Sequence, residues 1–361
     1  MMRPGLDIAG KSSTGSLPRV SAAVWAGLAG LLVAAFLLEL SLGSVLLPLR
    51  AVVSILLGYK KVPAGWRQIV LLFRLPRALT AMLAGSALSI SGLKMQTLFR
   101  NPLADPYVLG ISAGASLGVA LVVMAAGELG WGLLFEKSGI TGNVSLISAA
   151  TIGAITVLTI VLGVASKVEN NLSLLIVGLM FGYISGSLVS IFMQFTNEHR
   201  LQSFIFWTFG SFGGVTWKQM SVFAPIVIGG LALAWTMVKP LNAFLLGEGY
   251  ARSMGVNVRL ARFWIVIGSS LLAGTVTAYC GPIGFLGIAV PHLSRLILKT
   301  SDHRVLVPAV ILFGAALALV ADLISQAPGT GIVLPLNAVT ALIGAPVVIG
   351  MILRRPRMME S

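Results

Sequence analysis

The stretch VLVPAVILFGAALALVADLISQA, residues 305–327, decides the fold class, because one charged residue, Asp322, is all that interrupts an apolar run long enough to cross a lipid bilayer. Further apolar windows precede and follow it, at about 21–47, 75–93, 107–127, 143–165, 172–195, 219–238, 261–280, 283–299 and 333–353. A span needs about 20 apolar residues. The pattern therefore predicts an all-α polytopic membrane protein of about ten transmembrane helices.

The overall composition predicts the same fold class. Hydrophobic residues make up 57% of the 361 residues, charged residues 10%, and the mean hydropathy is +0.97. A soluble core with a polar surface cannot be built from such a composition. We expect one transmembrane domain over residues 21–353 between two cytoplasmic tails, 1–20 and 354–361, with no separate soluble domain.

The window at 283–299 is the weakest of the set. Pro291, His292 and Arg295 leave only a short apolar stretch beginning at Ile283. We therefore expect this segment to tilt or to cross the bilayer incompletely.

The distribution of basic residues predicts the orientation. With the N-terminus inside, most of the 25 Lys and Arg residues fall on the cytoplasmic side, including Arg354, Arg355 and Arg357 of the C-terminal tail. Both termini are therefore expected in the cytoplasm. The net charge of +14 is scattered between apolar runs and not gathered on one face, so no nucleic-acid partner is predicted.

One group of basic residues departs from this orientation rule, because it lies outside, between the first two spans. Its members are Arg50, Lys60, Lys61, Arg67, Arg74 and Arg77. Interfacial arginines that reach to lipid headgroups are one explanation. An acidic protein partner that docks on the outside is the other.

Small residues recur at intervals of three or four positions in two of the spans. They are Gly178, Gly182, Gly186 and Ser190 in the fifth span, and Gly85, Ser89 and Gly92 in the second. On a helix this spacing forms one smooth face. Such a face allows close packing of helices, or it forms the weakly adhesive wall of a translocation path.

The polar residues exclude most kinds of chemical site. The chain has one cysteine, Cys280, and three widely separated histidines, His199, His292 and His303. No disulfide, thiolate zinc cluster or metal site of the chain's own is predicted. We also predict no catalytic residue and no cofactor.

A phosphate-loop pattern occurs at residues 5–12, with Gly5, Gly10, Lys11 and Ser12 in the required positions. Nucleotide binding would need a strand before the loop, a helix after it and a second acidic strand for magnesium. The sequence around it offers none of these, so we interpret the match as a coincidence. A nucleotide-hydrolysing enzyme remains the alternative that this motif represents.

Acidic residues are scarce in the apolar windows. Glu39 and Asp322 are the ones found there, and both lie nearer an end of the window than its centre. Ion-coupled carriers usually keep charged sites near the middle of the membrane. An external energy source is therefore favoured over an ion-coupled secondary transporter.

Three stretches resemble the permeases of the FecCD type, which belong to the iron-siderophore, haem and cobalamin ABC importers. They are Arg74-Leu-Pro-Arg77 with Ser91-Gly92-x-x-x-Gln96 and Asn101-Pro-Leu-Ala-Asp105-Pro-Tyr-Val-Leu-Gly110-Ile-Ser-Ala-Gly114; Gly247-Glu248-x-x-Ala251-x-x-x-Gly255; and Gly281-Pro-Ile-Gly-Phe-Leu-Gly287-Ile-Ala-Val-Pro291-His292-Leu-x-Arg295 with Asp302-His303-Arg304. The similarity extends from about residue 70 to about residue 350, in the order and spacing of the family.

The resemblance implies a homodimer in the bacterial inner membrane, with a path along its twofold axis, two cytoplasmic ATPase subunits and a periplasmic substrate-binding protein. It assigns Arg74 and Arg77 to docking of the binding protein. A third arginine of the family, shortly after Asp322, is replaced here by Gln326. The implied cargo is an iron chelate, either a siderophore or haem, with cobalamin or an oxyanion as alternatives.

The resemblance also implies where the ATPase makes contact. The loop at about 242–262 corresponds to the coupling helices of the family, with Glu248, Ala251, Arg252 and Gly255 as the matching residues. A second group at the inner mouth of the eighth span is expected to have a structural and coupling role. Its members are His292, Arg295, Asp302, His303 and Arg304.

Overall fold

A computed structural model describes residues 21–59, 62–125, 143–165, 171–330 and 332–353. In this part of the chain every regular element is a helix, as predicted. The α-helices are α1 (Ala22–Ser41), α2 (Leu49–Leu56), α3 (Ala64–Gln68), α4 (Leu75–Leu98), α5 (Ile111–Ala120), α6 (Asn143–Ala165), α7 (Asn171–Gln194), α8 (Glu198–Phe209), α9 (Trp217–Thr236), α10 (Val238–Leu245), α11 (Glu248–Ser253), α12 (Val258–Cys280), α13 (Leu286–Leu298), α14 (His303–Ser325) and α15 (Leu336–Leu353). The phosphate-loop match, both tails, Lys60 and Lys61 lie outside the described residues.

Eight of the described helical segments are long and apolar enough to cross a membrane, and two shorter apolar helices accompany them. Each coincides with one of the predicted windows. Side chains at the first residues fix several of these boundaries. Thr216 and Gln219 form a reciprocal capping box at α9, Asn257 accepts from a backbone N–H at the start of α12, and Asp302 does so at α14.

Two windows differ in length from the prediction. The second begins earlier, because α3 and a π-helical turn at Ile69–Arg74 continue directly into α4 and give one segment from Ala64 to Leu98. The third begins later. Pro106–Leu109 form a 3-10 turn, and Gly110, with a φ of 77°, ends that turn and delays the start of α5.

Helix α13 confirms the weak eighth window. It contains 13 residues, which rise about 20 Å at 1.5 Å per residue and fall short of a bilayer core of about 30 Å. Phe285 before it and Lys299 after it both adopt the left-handed conformation, with φ values of 69° and 51°. Sharp turns at both ends thus bound a helix that is shorter than the bilayer core is thick.

Helix α4 forms the centre of the bundle and packs against α9, α12, α13 and α14. Glycines permit the two closest approaches. A Cβ atom at Gly85 would overlap the Gly314 carbonyl oxygen of α14, and one at Gly92 would overlap the Gly287 carbonyl oxygen of α13. Ser89 is fully buried beside Gly314. Gly85 and Ser89 therefore pack helices together, which corrects the expectation that they line a path.

The stripe on α7 divides into two parts. Gly178 is buried, and a Cβ atom there would overlap the Val108 carbonyl oxygen, so this end of the stripe packs within the chain. Gly182 and Gly186 have open space where a Cβ atom would lie, and Ser190 is exposed. This second part is left free by the described residues of the chain.

Candidate functional site

Helices α4 and α14 run antiparallel and are joined by polar contacts at both ends. Arg77 meets Asp322 at one end, and Thr97 meets His303 at the other. The 20 residues from Arg77 to Thr97 rise about 30 Å, which equals the thickness of the bilayer core. The two polar clusters therefore lie at opposite membrane surfaces. We call them the arginine end, around Arg77, and the coupling end, around His303.

At the arginine end, one guanidinium group serves two buried carboxylates. Arg77 donates from Nε and Nη2 to the two carboxylate oxygens of Asp322, over 2.7 and 2.8 Å, and its Nε lies 3.9 Å from Glu39 Oε1. Asp322 is fully buried and Glu39 is 2% exposed. The bidentate pair connects α4 to α14, and the contact with Glu39 adds α1, at a place where charge is costly to bury.

Two further side chains complete the arginine end. Gln326 donates from its amide to Glu39 Oε1. Arg74 donates from Nη1 to the Leu40 carbonyl over 2.8 Å, and from Nη2 to the Val45 carbonyl. The first of these carbonyls lies in the last turn of α1, where a cation is favoured by the helix dipole. The residue in place of the third family arginine thus supports a carboxylate inside the chain.

The two arginines expected to dock a partner are therefore largely engaged within the chain. Arg74 is 9% exposed, and the Arg77 side chain is 20% exposed. Arg77 Nη1 has no hydrogen-bond partner among the described residues, so part of this guanidinium remains available. Arg50 and Arg67, from the same predicted cluster, are exposed. Sequence position alone could not separate these two classes of arginine.

At the coupling end, the predicted loop folds into short helices. Glu248 begins α11 and accepts from Arg262 Nη2 at both carboxylate oxygens, over 2.8 and 3.0 Å, which ties α11 to α12. Ala251 is fully buried, whereas Arg252 is exposed. Gly255 follows α11 with a φ of 79° and has open space where a Cβ atom would lie.

Asn242, on α10, joins this segment to the membrane helices. Its Oδ1 accepts from the His303 backbone N–H over 2.9 Å and lies 2.8 Å from His303 Nδ1, which places the ring proton on Nδ1. Its Nδ2 donates to Asp302 Oδ1 over 2.7 Å. His303 Nε2 lies 2.9 Å from Thr97 Oγ1 on α4. The sequence prediction missed the roles of Asn242 and Thr97, because neither residue stands out by type or spacing.

The other residues predicted at this inner mouth lie nearby. Arg295 donates from Nη1 to Gln96 Oε1 over 2.6 Å, and the Gln96 amide reaches the Gly287 and Ile288 carbonyls. Arg304 contributes a backbone N–H to Asp302. His292 lines a neighbouring cavity and is not one of the His303 partners. Within the described part of the chain no His, Cys, Asp and Glu group could hold a metal ion.

Comparisons with known proteins agree with this geometry. The model of the FecCD transport family matches residues 31–355. A vitamin B12 import system permease protein, BtuC, from Klebsiella pneumoniae is 36% identical over 86% of this chain and 92% of its own length. A hemin transport system permease protein, HmuU, from Yersinia pestis is 35% identical over 81% of this chain and 85% of its own length.

A solved structure supports the fold in three dimensions. It is described as an inward-facing conformation of a metal-chelate type ABC transporter, and it is 26% identical in sequence. The superposition covers 92% of this chain and all of the other, with a TM-score of 0.79. From the membrane helices, the two polar ends and these relatives, we conclude that the chain is a multi-pass permease of the bacterial inner membrane and belongs to the FecCD transport family.

Proposed function

We propose that the chain is the translocation subunit of a binding-protein-dependent importer, which moves an iron chelate into the cytoplasm by alternating access. ATP is hydrolysed on a separate subunit. The observation that carries the proposal is the 36% identity to a vitamin B12 import permease over 86% of the chain. The match to the family model, over residues 31–355, includes both the arginine end and the coupling end.

The working assembly contains two copies of this chain, two cytoplasmic ATPase subunits and one periplasmic binding protein. The free part of the α7 stripe, Gly182, Gly186 and Ser190, supports this arrangement, because nothing described in one chain covers it. A second copy covers it or leaves it facing the path between the copies. Residues 21–353 act as one transmembrane domain with both tails in the cytoplasm.

The cargo is a bulky metal chelate, and we propose a siderophore or haem. The relative named for hemin transport supports haem. Cobalamin is the second candidate, since several relatives at 35–38% identity are named for vitamin B12 import. A binding protein selects among such ligands outside the membrane, so a path with small apolar walls needs little affinity of its own.

We assign the arginine end to the docking of an acidic binding protein. Arg50 and Arg67 offer exposed charges, and Arg77 offers its unpaired Nη1. Arg74 holds the loop after α1 in place through its two carbonyl contacts. Charge pairing of this kind orients a partner and speeds encounter more than it adds affinity.

Reversing the charges of the two exposed arginines, Arg50 and Arg67, is therefore a cleaner test of docking than changing Arg74 or Arg77. The double variant Arg50→Glu/Arg67→Glu should bind the binding protein about tenfold more weakly at low salt, because each exposed ion pair contributes about 0.2 to 1 kcal/mol and reversal adds repulsion. Salt should shrink the difference by screening. Binding is measured with the permease in nanodiscs. Unchanged affinity at low salt would return these residues to the lipid-headgroup explanation.

We assign the coupling end to contact with the ATPase, and Gly255 offers a direct test. Gly255→Trp places a large side chain on an exposed surface and should reduce ATPase recruitment at least tenfold while the chain stays folded. Gly58→Trp is the matched control, because Gly58 is also exposed, has a φ of 81° and lies at the arginine end. Pull-down of the ATPase measures both. Equal recruitment by the two variants would remove the coupling assignment.

The proposal also predicts that the purified chain alone hydrolyses no ATP. The sequence around the phosphate-loop match at residues 5–12 predicts neither the strand nor the helix that the chemistry needs. Phosphate release is measured for the parent and for Lys11→Ala. Turnover by the parent that Lys11→Ala abolishes would mean that the chain is itself a nucleotide-hydrolysing enzyme.

A further inference from the structure

Two adjoining cavities at the coupling end have no role in the proposed transport steps. The smaller, of about 290 Å³, is lined by Gln96, Thr97, Arg100, Pro102, Leu245 and Arg295. The larger, of about 500 Å³, shares Pro102 and Arg295 with it and continues between the last two turns of α13 and α15. Its other walls are mostly apolar, with Leu293, Leu296 and Val347 among them. We call these two adjoining cavities the groove; it has a basic end, at Arg100 and Arg295, and a largely apolar end that also contains His292.

The basic end carries positive charge that the described residues do not balance. Neither Arg100 nor Arg295 forms an ion pair with a described residue, and no acidic side chain lines either cavity. Arg295 is held by Gln96, which is 3% exposed and is itself fixed by the Gly287 carbonyl. One bond to Gln96 leaves the remaining donors of that guanidinium for a ligand. The end is therefore built to receive an anion.

The position of the groove indicates which kind of anion would bind there. Thr97 lies one bilayer-core thickness from Arg77 along α4, which places the basic end at the level of lipid headgroups. The apolar end is continuous with side chains exposed on the outer surface of α13 and α15. These are Leu296, Ile297, Ile349, Ile352 and Leu353. A soluble anion would leave this apolar surface uncovered, whereas acyl chains would cover it.

We propose that this groove binds one anionic phospholipid, with the phosphate on Arg100 and Arg295 and the first part of the acyl chains between α13 and α15. Basic pockets between transmembrane helices are suited to such headgroups. Because Arg295 is bonded to Gln96, which contacts α13, and Arg100 lies beside the segment that precedes α11, the bound lipid would brace the coupling end.

The test compares lipid retention by matched charge variants of the full chain. The permease is purified from bilayers that contain equal amounts of phosphatidylglycerol and phosphatidylcholine, and the retained lipids are counted by native mass spectrometry. Each arginine should contribute about a fivefold preference for the anionic lipid, so Arg100→Gln/Arg295→Gln should reduce that preference by about 25-fold. Arg100→Gln alone, at an exposed side chain without a bond, should reduce it about fivefold.

The control variant removes the same charge elsewhere at this end. Lys239 and Arg259 are exposed and line neither cavity, so Lys239→Gln/Arg259→Gln should keep the anionic preference of the parent. Equal loss in the control pair would mean general attraction of anionic lipid and would overturn the site. Parent-like preference in Arg100→Gln and in the double variant would also overturn it, because the anionic lipid would then be held at another place on the chain.

Discussion

Arg77→Met should destabilise the chain by about 3 to 5 kcal/mol, because it leaves two buried carboxylates without their cation. Asp322 is fully buried and loses both bonds of the bidentate pair, and Glu39 loses the guanidinium that lies 3.9 Å from its Oε1. Helices α1, α4 and α14 meet at this point, so the loss should appear in unfolding of the whole bundle. The midpoint of thermal unfolding in detergent measures it.

Two further variants show whether the charge is the cause. Arg77→Met/Asp322→Asn removes the carboxylate that formed the bidentate pair and leaves Glu39 in place. It should recover more than half of the lost stability, since replacing both partners of a buried ion pair often costs little, whereas removing one partner leaves the other charge buried alone. Arg67→Met, at an exposed position of the same end, should stay within about 0.5 kcal/mol of the parent. A parent-like midpoint for Arg77→Met would contradict the arrangement described for the arginine end.

Gly85→Val should prevent α4 and α14 from packing and should leave little folded protein. A Cβ atom at this position overlaps the Gly314 carbonyl oxygen and lies 2.5 Å from the Ala318 Cβ. Helix backbone cannot rotate out of the way as a side chain can, so the cost should exceed the usual 1 to 3 kcal/mol of overpacking. Size-exclusion chromatography of the detergent extract measures the yield of folded chain.

Gly186→Val is the matched control for that substitution. It adds the same side chain to a glycine with open space around its Cβ position, and valine favours a helix more than glycine does. The variant should fold like the parent, and it should lose transport if the free part of the α7 stripe lines the path or the contact between copies. Folded, monodisperse Gly85→Val protein would show that α4 and α14 are not in contact at Gly314.

Hydropathy predicted the fold class and the position of every span, because a bilayer demands long apolar helices and few charges. It could not predict how the helices meet. The second span was predicted to begin at 75, whereas the segment begins at Ala64, since Arg67 and Arg74 break the apolar pattern without ending the helix. The third span was predicted to begin at 107, whereas its helix begins at Ile111, because the 3-10 turn before Gly110 has no hydropathy signature.

The family motif allowed some residues of the candidate site to be predicted. Residues whose role depends on contacts between distant helices could not be predicted in this way. Glu248 and Gly255 do lie in a short helix and its turn. Similar spacing of small residues leads to buried packing at Gly85 and to an open face at Gly186. The spacing shows only that a helix has a smooth face, and it does not show which neighbour packs on that face. Asn242 could not be foreseen, because its role arises from the approach of α10 to the start of α14.

Uptake into proteoliposomes tests the importer assignment most directly. The chain is reconstituted with the ATPase and the binding protein, and the uptake of labelled haem, a ferric siderophore and cobalamin is followed with ATP enclosed or omitted. We expect one of these chelates to accumulate only when all three components and ATP are present. Accumulation driven by a proton or sodium gradient with the ATPase left out would contradict the assignment and would indicate a secondary transporter.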